Sequence, residues 1–163
     1  MLKIGDKAVQ FELKNQRNET VNLKNYCGKW VVLYFYPRDN TPGCTKEACD
    51  FTDSINDFAD LSAEIIGISP DSPESHVKFI NKYDLKVQLL CDITKEVMKD
   101  YGAWGEKNMY GKITECVIRS TFIIDPEGKV AASWSKVKVR VKRKSGEVRH
   151  SDIVREKLLE LQK

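Results

Sequence analysis

Two short runs of apolar residues stand out from an otherwise mixed chain. Residues 30–36 (WVVLYFY) are aliphatic or aromatic and end at Pro37, and residues 63–69 (AEIIGIS) form a similar run. An apolar run of this length is typical of a strand that is buried on both faces. The pattern therefore predicts two inner strands of a sheet.

Helical spacing follows each of these strands. Five apolar residues recur at intervals of one to four after Thr41-Pro42-Gly43, namely Ala48, Phe51, Ile55, Phe58 and Ala59. Pro73 begins a second predicted helix, with Ser72 as its N-cap. The remaining patterns predict a strand over 87–91, a helix over 94–101, a hairpin of 121–125 with 130–134, and a last helix from Asp152. This alternation predicts an α/β sandwich in which helices flank a mixed central β-sheet.

The segment of residues 136–149 differs from the rest in charge. Seven of its residues are Lys or Arg and one is Glu, so it is more positive than the whole chain, whose net charge is +3. Val137, Val139 and Val141 alternate with charged residues, and Ser145-Gly146 fits a turn. We expect a basic β-hairpin inserted in the fold, either as a solvated loop or as a contact surface. The contact surface would suit an acidic partner or a nucleic acid, but no aromatic residue of the segment is available to stack on a base, which disfavours a specific single-strand site.

Composition and the N-terminus narrow the class of protein. The chain has 163 residues, 41% of them hydrophobic and 31% charged, which fits one globular domain over residues 1–163. Its longest apolar run has seven residues, whereas a membrane span needs about 20. Lys3, Asp6 and Lys7 interrupt any signal-peptide pattern. Five cysteines cannot all pair within one chain, so we expect a cytoplasmic protein in a reducing compartment.

Cys44 lies where a thiol would be activated. It follows Thr41-Pro42-Gly43 and falls in the first turn of the predicted helix. Backbone N–H groups there lack intrahelical partners and the helix dipole is positive, and both effects favour a thiolate. Position alone fits a buried, inert cysteine equally well.

A second cysteine, Cys49, lies five residues further along the same helix. At this spacing in an intact helix the Cα atoms are roughly 8–9 Å apart, whereas a disulfide needs about 4.4–6.8 Å. The two cysteines can bridge only if the helix unwinds; otherwise they are unrelated thiols. The C-x4-C spacing is neither the C-x-x-C of thiol–disulfide oxidoreductases nor a familiar zinc half-site.

The string FYPRDNTPGCTKEACDF, at residues 35–51, resembles the active-site signature of the peroxiredoxins, and within them the bacterioferritin-comigratory or Q-type group. Pro37, Thr41 and Cys44 match its core, P-x-x-x-T-x-x-C. RSTFIIDPEGKV at residues 119–130 is similar to the family's second signature. The resemblance covers residues 1 to about 135 and resumes in the last helix. It implies a thioredoxin-like sandwich.

The resemblance also implies a thiol peroxidase that reduces hydrogen peroxide and organic hydroperoxides without a metal or cofactor. Cys44 corresponds to the peroxidatic thiolate, which becomes a sulfenic acid, and Cys49 to the resolving cysteine that forms a disulfide with it. Thr41 would bond the peroxide and the sulfur, Arg119 would hold the thiolate and polarise the O–O bond, and Pro37 would shield the thiolate from water and over-oxidation. A thioredoxin-type reductant would restore the thiols, and the protein is expected to be a monomer.

The chain departs from the family pattern in two places. Ile118 stands where the family usually has Glu, which removes a possible partner of Arg119. Glu47, one turn after Cys44, could orient the arginine instead, or could lie on a solvated helix face. The basic segment replaces what is usually a short turn before the last helix.

Several residues and two other function classes stay open. Cys91 is expected in the core, although some members of the group place the resolving thiol on another helix, which makes it a competitor of Cys49. Cys27 is expected in a loop, and Cys116 is open to adventitious oxidation. His76 and His150 are expected on the surface. The alternatives are a thiol–disulfide oxidoreductase of the same fold, and a non-catalytic module that binds an acidic partner or nucleic acid through residues 136–149.

Overall fold

Eleven strands and five helices make up the structure, a computed structural model that describes residues 1–163. The strands are β1 (Glu12–Asn15), β2 (Thr20–Asn22), β3 (Trp30–Phe35), β4 (Ala63–Ser69), β5 (Gln88–Cys91), β6 (Trp104–Met109), β7 (Lys112–Val117), β8 (Ser120–Ile124), β9 (Val130–Trp134), β10 (Arg140–Arg143) and β11 (Gly146–Arg149). The helices are α1 (Pro42–Asp53), α2 (Ile55–Asp60), α3 (Pro73–Tyr83), α4 (Glu96–Tyr101) and α5 (His150–Leu161), with a 3-10 helix at Leu23–Tyr26.

Seven strands form one mixed sheet in the order β2-β1-β5-β4-β3-β8-β9. The central strands β3, β4 and β5 are parallel, while β8 and β9 on one side and β1 and β2 on the other are antiparallel to their neighbours. The strands β6 and β7 pair separately, as do β10 and β11. The predicted mixed central sheet flanked by helices is confirmed.

Strand β3 shows why the apolar run in the sequence is continuous. Leu33 and Phe35 face a core that is closed by α4 and the N-terminal segment. Val32, Tyr34 and Tyr36 face the opposite core, which is closed by α1, α2, α3 and α5. Since successive side chains of a strand point to opposite faces, a strand with a core on each side must be apolar throughout.

Three differences from the sequence pattern concern boundaries and polar strands. The long helix predicted after Pro42 is divided at Ser54, and the last helix begins at His150 rather than Asp152. The hairpins β1–β2 and β6–β7 were not predicted, because their residues are largely polar and exposed. No helix of the structure combines the length and the apolar character needed to cross a membrane.

Candidate active site

Cys44 lies at the start of α1, after the loop of residues 36–41 that follows β3. Thr41 is the N-cap residue, Pro42 is the first helical residue, and Cys44 is the third. Proline is well suited to the first position because its missing N–H would have no intrahelical partner there. The Cys44 side chain is buried, with 2% of its surface exposed. The strand-to-helix connection therefore holds this thiol at the positive end of the helix dipole.

Arg119 reaches Cys44 from the segment between β7 and β8. Its Nη2 lies 3.2 Å from the Cys44 Sγ, and its Nη1 donates to Glu47 Oε1 at 2.7 Å. A Cβ at Gly43 would lie 3.2 Å from the same Nη2, so the glycine leaves room for the guanidinium. The structure thus brings together Cys44 and Arg119, as the sequence analysis expected. It also selects one of the two interpretations of Glu47, which orients the arginine.

Glu47 compensates for the departure at Ile118. Its side chain is 1% exposed, and its Oε2 has no hydrogen-bond partner. Burial raises the pKa of Glu47 to about 7, although the charge of Arg119 acts to lower it. Arg119 therefore has a buried partner on α1, and the charge of that partner changes near neutral pH.

Thr41 and Pro37 lie in the loop that leads into α1. The Thr41 hydroxyl donates to the carbonyl of Arg38 at 3.0 Å, and no hydrogen bond joins it to Cys44. Pro37 is exposed. The expected bond from Thr41 to the sulfur is thus not formed in this state, and the shielding role of Pro37 stays a prediction.

Cys49 lies on the same helix as Cys44, and both thiols are free. Five residues at 100° each place the two side chains about 140° apart around α1. Cys49 is partly buried, and this burial, with the charges of Asp50 and Asp53, raises the pKa of its thiol. While α1 is wound, the two sulfurs cannot meet.

The expectation that His76 lies on the surface is wrong. It is fully buried; its Nδ1 lies 2.7 Å from Asp39 Oδ2 and its Nε2 lies 2.9 Å from the carbonyl oxygen of Leu90. Burial alone would lower the pKa of His76, but the hydrogen bond to Asp39 and the other contacts raise it to about 10. The sequence contained a signal for this, because His76 shares a helical face with Phe79 and Tyr83.

The same cluster is the group of side chains most like a metal site. Ligand atoms of Asp39, Asp71 and His76 lie within 4.8 Å of one another. Both ring nitrogens of His76 already have hydrogen-bond partners, and Ser75 Oγ donates to Asp39 Oδ2 at 2.7 Å. The cluster is therefore arranged as a hydrogen-bond network that fixes the loop before Cys44.

The surface expectation for His150 is also wrong, since only 3% of it is exposed. Its Nε2 lies 2.9 Å from the Thr121 hydroxyl, and Phe51 and Trp134 meet its ring edge-on. Burial, with the charge of Arg119, lowers the pKa of His150 to about 4. It shares the inner face of α5 with two buried apolar residues, Val154 and Leu158, at a four-residue spacing that the sequence also contained.

The other cysteines lie outside this site. Cys27 is exposed after the 3-10 helix, and Cys91 is buried at the end of β5. Cys116 is partly exposed on β7. None of the three forms a hydrogen bond with Cys44 or Arg119, whereas Cys49 shares a helix with Cys44.

Comparison with known proteins identifies the family. Residues 4–133 match the model of the AhpC/TSA family. Peroxiredoxin Bcp of Bacillus subtilis (strain 168) is 50% identical over 139 residues, which cover 85% of this chain and 88% of that protein. The chain belongs to the peroxiredoxin family, in its Bcp or Q-type group.

Solved structures of this group share the fold. Peroxiredoxin Q of Xanthomonas campestris superposes with a TM-score of 0.85 at 37% identity, covering 94% of this chain and 92% of that one. A cysteine-to-serine mutant of PrxQ from Xylella fastidiosa superposes with a TM-score of 0.89 at 31% identity, covering 100% and 99%. The thioredoxin-like fold expected from the sequence is confirmed, and the chain is a thiol-dependent peroxidase. Its family implies a peroxide substrate and a thioredoxin-type reductant.

Proposed function

We propose that Cys44 is the peroxidatic cysteine, that Cys49 resolves its sulfenic acid, and that the substrates are hydrogen peroxide and organic hydroperoxides. The observation that carries this assignment is the 3.2 Å contact between Arg119 Nη2 and the Cys44 Sγ at the start of α1. The bacterioferritin comigratory protein of X. campestris has alkyl peroxide reduction activity, which was studied in structures of its trapped intermediate and ligand complexes. We extend that substrate class to this chain.

The geometry supports attack by the Cys44 sulfur on the terminal oxygen of the peroxide. An S–O bond forms, the O–O bond breaks, and the departing oxygen takes a proton and leaves as water or an alcohol. Negative charge develops on that oxygen during the step, and Arg119 supplies fixed donors and a permanent positive charge beside it. Glu47 keeps the guanidinium in place, since its Oε1 accepts from Nη1 while Nη2 contacts the sulfur.

Thr41 serves the peroxide as an acceptor in this proposal. Its hydroxyl proton is already committed to the carbonyl of Arg38. The lone pairs of the oxygen remain available, and a hydroxyl can accept while it donates. The O–H of a hydroperoxide can therefore donate to Thr41 Oγ1 while its oxygens face the guanidinium.

The product is a sulfenic acid at Cys44, which a nearby thiol converts into a disulfide before further oxidation. Cys49 is the thiol that shares α1 with it, and this helix must unwind for the pair to bridge. A thioredoxin-type reductant then restores both thiols.

We also propose a cellular location, an oligomeric state and a domain organisation for the enzyme. Five cysteines cannot all pair within one chain, which fits a reducing compartment, so we place the protein in the cytoplasm. We propose that it acts as a monomer and does not bind nucleic acid, as the family resemblance and the lack of aromatic residues over 136–149 suggest. Residues 1–163 then act as one domain with a basic hairpin insertion.

Peroxide consumption coupled to thioredoxin, thioredoxin reductase and NADPH tests the roles. Cys44→Ser is expected to abolish turnover, and Arg119→Met to slow the reaction with peroxide by about a hundredfold, as for loss of one aligned charge-stabilising donor. Cys49→Ser is expected to stop thioredoxin-dependent turnover after one equivalent of peroxide. Cys27→Ser, which alters an exposed free thiol, is the matched control and should behave as wild type.

Two outcomes would overturn the assignments. Wild-type turnover in Cys44→Ser would remove Cys44 from the reaction. Full thioredoxin-dependent turnover in Cys49→Ser would remove only the resolving role of Cys49 and would direct attention to Cys91.

A further inference from the structure

The hairpin β10–β11 is tied to the helix that carries both cysteines. Arg140 on β10 makes two hydrogen bonds to the Asp50 carboxylate, from Nε to Oδ2 at 2.9 Å and from Nη2 to Oδ1 at 2.7 Å. Asp50 directly follows Cys49 on α1 and is only 4% exposed. Arg140 is the single cation that pairs with it. At the same end of the hairpin, Arg149 of β11, the cross-strand partner of Arg140, lies 3.7 Å from Asp53, also on α1.

These contacts match α1 in its wound form. In an α-helix the N–H groups of residues 48–53 bond to the carbonyls four positions earlier. If residues 44–49 leave the helix to join the two cysteines, those bonds are lost and the last turn of α1 has no helix before it. The bidentate ion pair fixes Asp50 where the wound helix puts it, so it opposes that change.

We propose that Arg140 is a positioning residue for the resolving step: by holding Asp50 it keeps α1 wound and so limits the rate at which Cys49 reaches the oxidised Cys44. The inference rests on the proposed function, because it takes Cys49 as the resolving cysteine. It gives the basic hairpin a role through one internal contact rather than through its exposed charges.

The step itself balances without a further reactant. The Cys49 sulfur attacks the sulfur of the Cys44 sulfenic acid, an S–S bond forms and the S–O bond breaks. Hydroxide leaves with the proton of the Cys49 thiol as water. While α1 stays wound, the sulfenic acid waits, and a second peroxide can oxidise it to the sulfinic acid. The strength of the Arg140–Asp50 pair therefore sets the competition between disulfide and sulfinic acid.

Single-turnover oxidation tests the proposal without any reductant. Reduced protein is mixed with hydrogen peroxide, quenched with acid and a thiol-alkylating reagent at a series of times, and analysed by mass spectrometry for the Cys44–Cys49 disulfide and for sulfinic acid. Arg140→Ala is expected to form the disulfide about tenfold faster, with less sulfinic acid, since it removes the cation that pairs with the buried carboxylate of Asp50 and so weakens the wound state. Arg140→Lys, which keeps one ion pair, should fall between.

Matched variants separate this effect from general damage. Arg143→Ala removes an exposed arginine of the same strand that has no ion-pair partner, and it should leave the rates unchanged. Circular dichroism confirms that each variant is folded, and the rate at which peroxide is consumed in the first step is the internal reference.

Asp50→Asn distinguishes release of the helix from an electrostatic effect on Cys49. Loss of Arg140 leaves the negative Asp50 uncompensated beside the thiol, which disfavours the thiolate, whereas Asp50→Asn removes that charge and favours it. An electrostatic effect would slow disulfide formation in Arg140→Ala and accelerate it in Asp50→Asn. Release of the helix predicts that both form the disulfide faster, and that the double variant is no faster than either single one.

The proposal is overturned if folded Arg140→Ala forms the disulfide no faster than wild type. If Arg140→Ala does not fold, the same result for folded Arg140→Lys and Asp50→Asn overturns it. This failure is distinguishable from failure of the proposed function. Cys49→Ser must abolish the intramolecular disulfide in the same assay if Cys49 resolves, whatever the Arg140 variants do.

Discussion

His76 and His150 are two buried histidines in one small protein, but at neutral pH His76 is a cation whereas His150 is neutral. Their exposed fractions are 0% and 3%, so burial does not distinguish them. The pKa of His76 is raised to about 10, whereas the pKa of His150 is lowered to about 4. The difference must come from the atoms that surround each ring.

The ring of His76 meets two acceptors. The carboxylate of Asp39 and the carbonyl of Leu90 each face one ring nitrogen, so both nitrogens must donate and the ring must be an imidazolium. The ring of His150 instead meets a hydroxyl, two aromatic side chains and the positive field of Arg119. Charging it would place a second buried cation near Arg119.

Each histidine supports a different side of the proposed active site. His76 binds Asp39 in the loop that leads into α1, and thereby fixes the approach to Cys44. His150 packs against Phe51 of α1 and Thr121 of β8, the strand that directly follows Arg119. His76 therefore stabilises the loop as a cation, whereas His150 stabilises the contact between α1 and β8 as a neutral ring.

The largest expected effect is that of breaking the charged pair. His76→Leu removes both donors and leaves the Asp39 carboxylate buried, with hydrogen bonds from Tyr36 and Ser75 but no counter-charge. We expect the free energy of unfolding to fall by about 4 kcal/mol, the cost of removing one partner of a buried ion pair. Urea denaturation followed by circular dichroism at pH 7 measures it.

Two controls sharpen this prediction. Adding Asp39→Asn to His76→Leu should restore part of the stability, because the unpaired buried charge is removed as well. Since folding raises the pKa of His76, its contribution is complete below pH 6.5 and is lost as pH rises through about 10. The gap between wild type and His76→Leu should therefore narrow over that range. A loss below about 1 kcal/mol, typical of a surface substitution, would contradict the buried pair.

The histidines also show what could be predicted from the sequence. The inner strands, the start of α1 and the meeting of Cys44 with Arg119 were accessible, because apolar runs, a turn signal and a long family motif encode them locally. Burial of His76 depends on Asp39, which lies 37 residues before it, and on the backbone of another strand. Such partners come together only in the fold. The same is true of Arg140 and Asp50, which are 90 residues apart.

The second prediction concerns the loss of stability at acidic pH that His150 causes. Folding lowers the pKa of His150 from 6.5 to about 4, so the unfolded chain takes up a proton in this range that the native protein does not. Stability should therefore fall as pH falls from 6.5 to 4, by about 3 kcal/mol from this residue. His150→Phe keeps the aromatic contacts to Phe51 and Trp134 without a titrating group. Urea midpoints measured over this range should fall less steeply for the variant, and parallel curves would refute the neutral ring.

The smallest expected effect on stability is that of Thr121→Val, and its size reports whether the ring of His150 is neutral or charged. If the ring is neutral, its Nε2 accepts from the hydroxyl, and Thr121→Val should cost about 1 kcal/mol at pH 7. If the ring were charged, Nε2 would donate, and the loss of a bond to a charged group would cost about 1.5–3 kcal/mol. Urea denaturation of Thr121→Val in the wild-type and His150→Phe backgrounds measures the free energy of the hydrogen bond between Thr121 and His150. In the second background the substitution should cost almost nothing, because the ring nitrogen that the hydroxyl binds is no longer present.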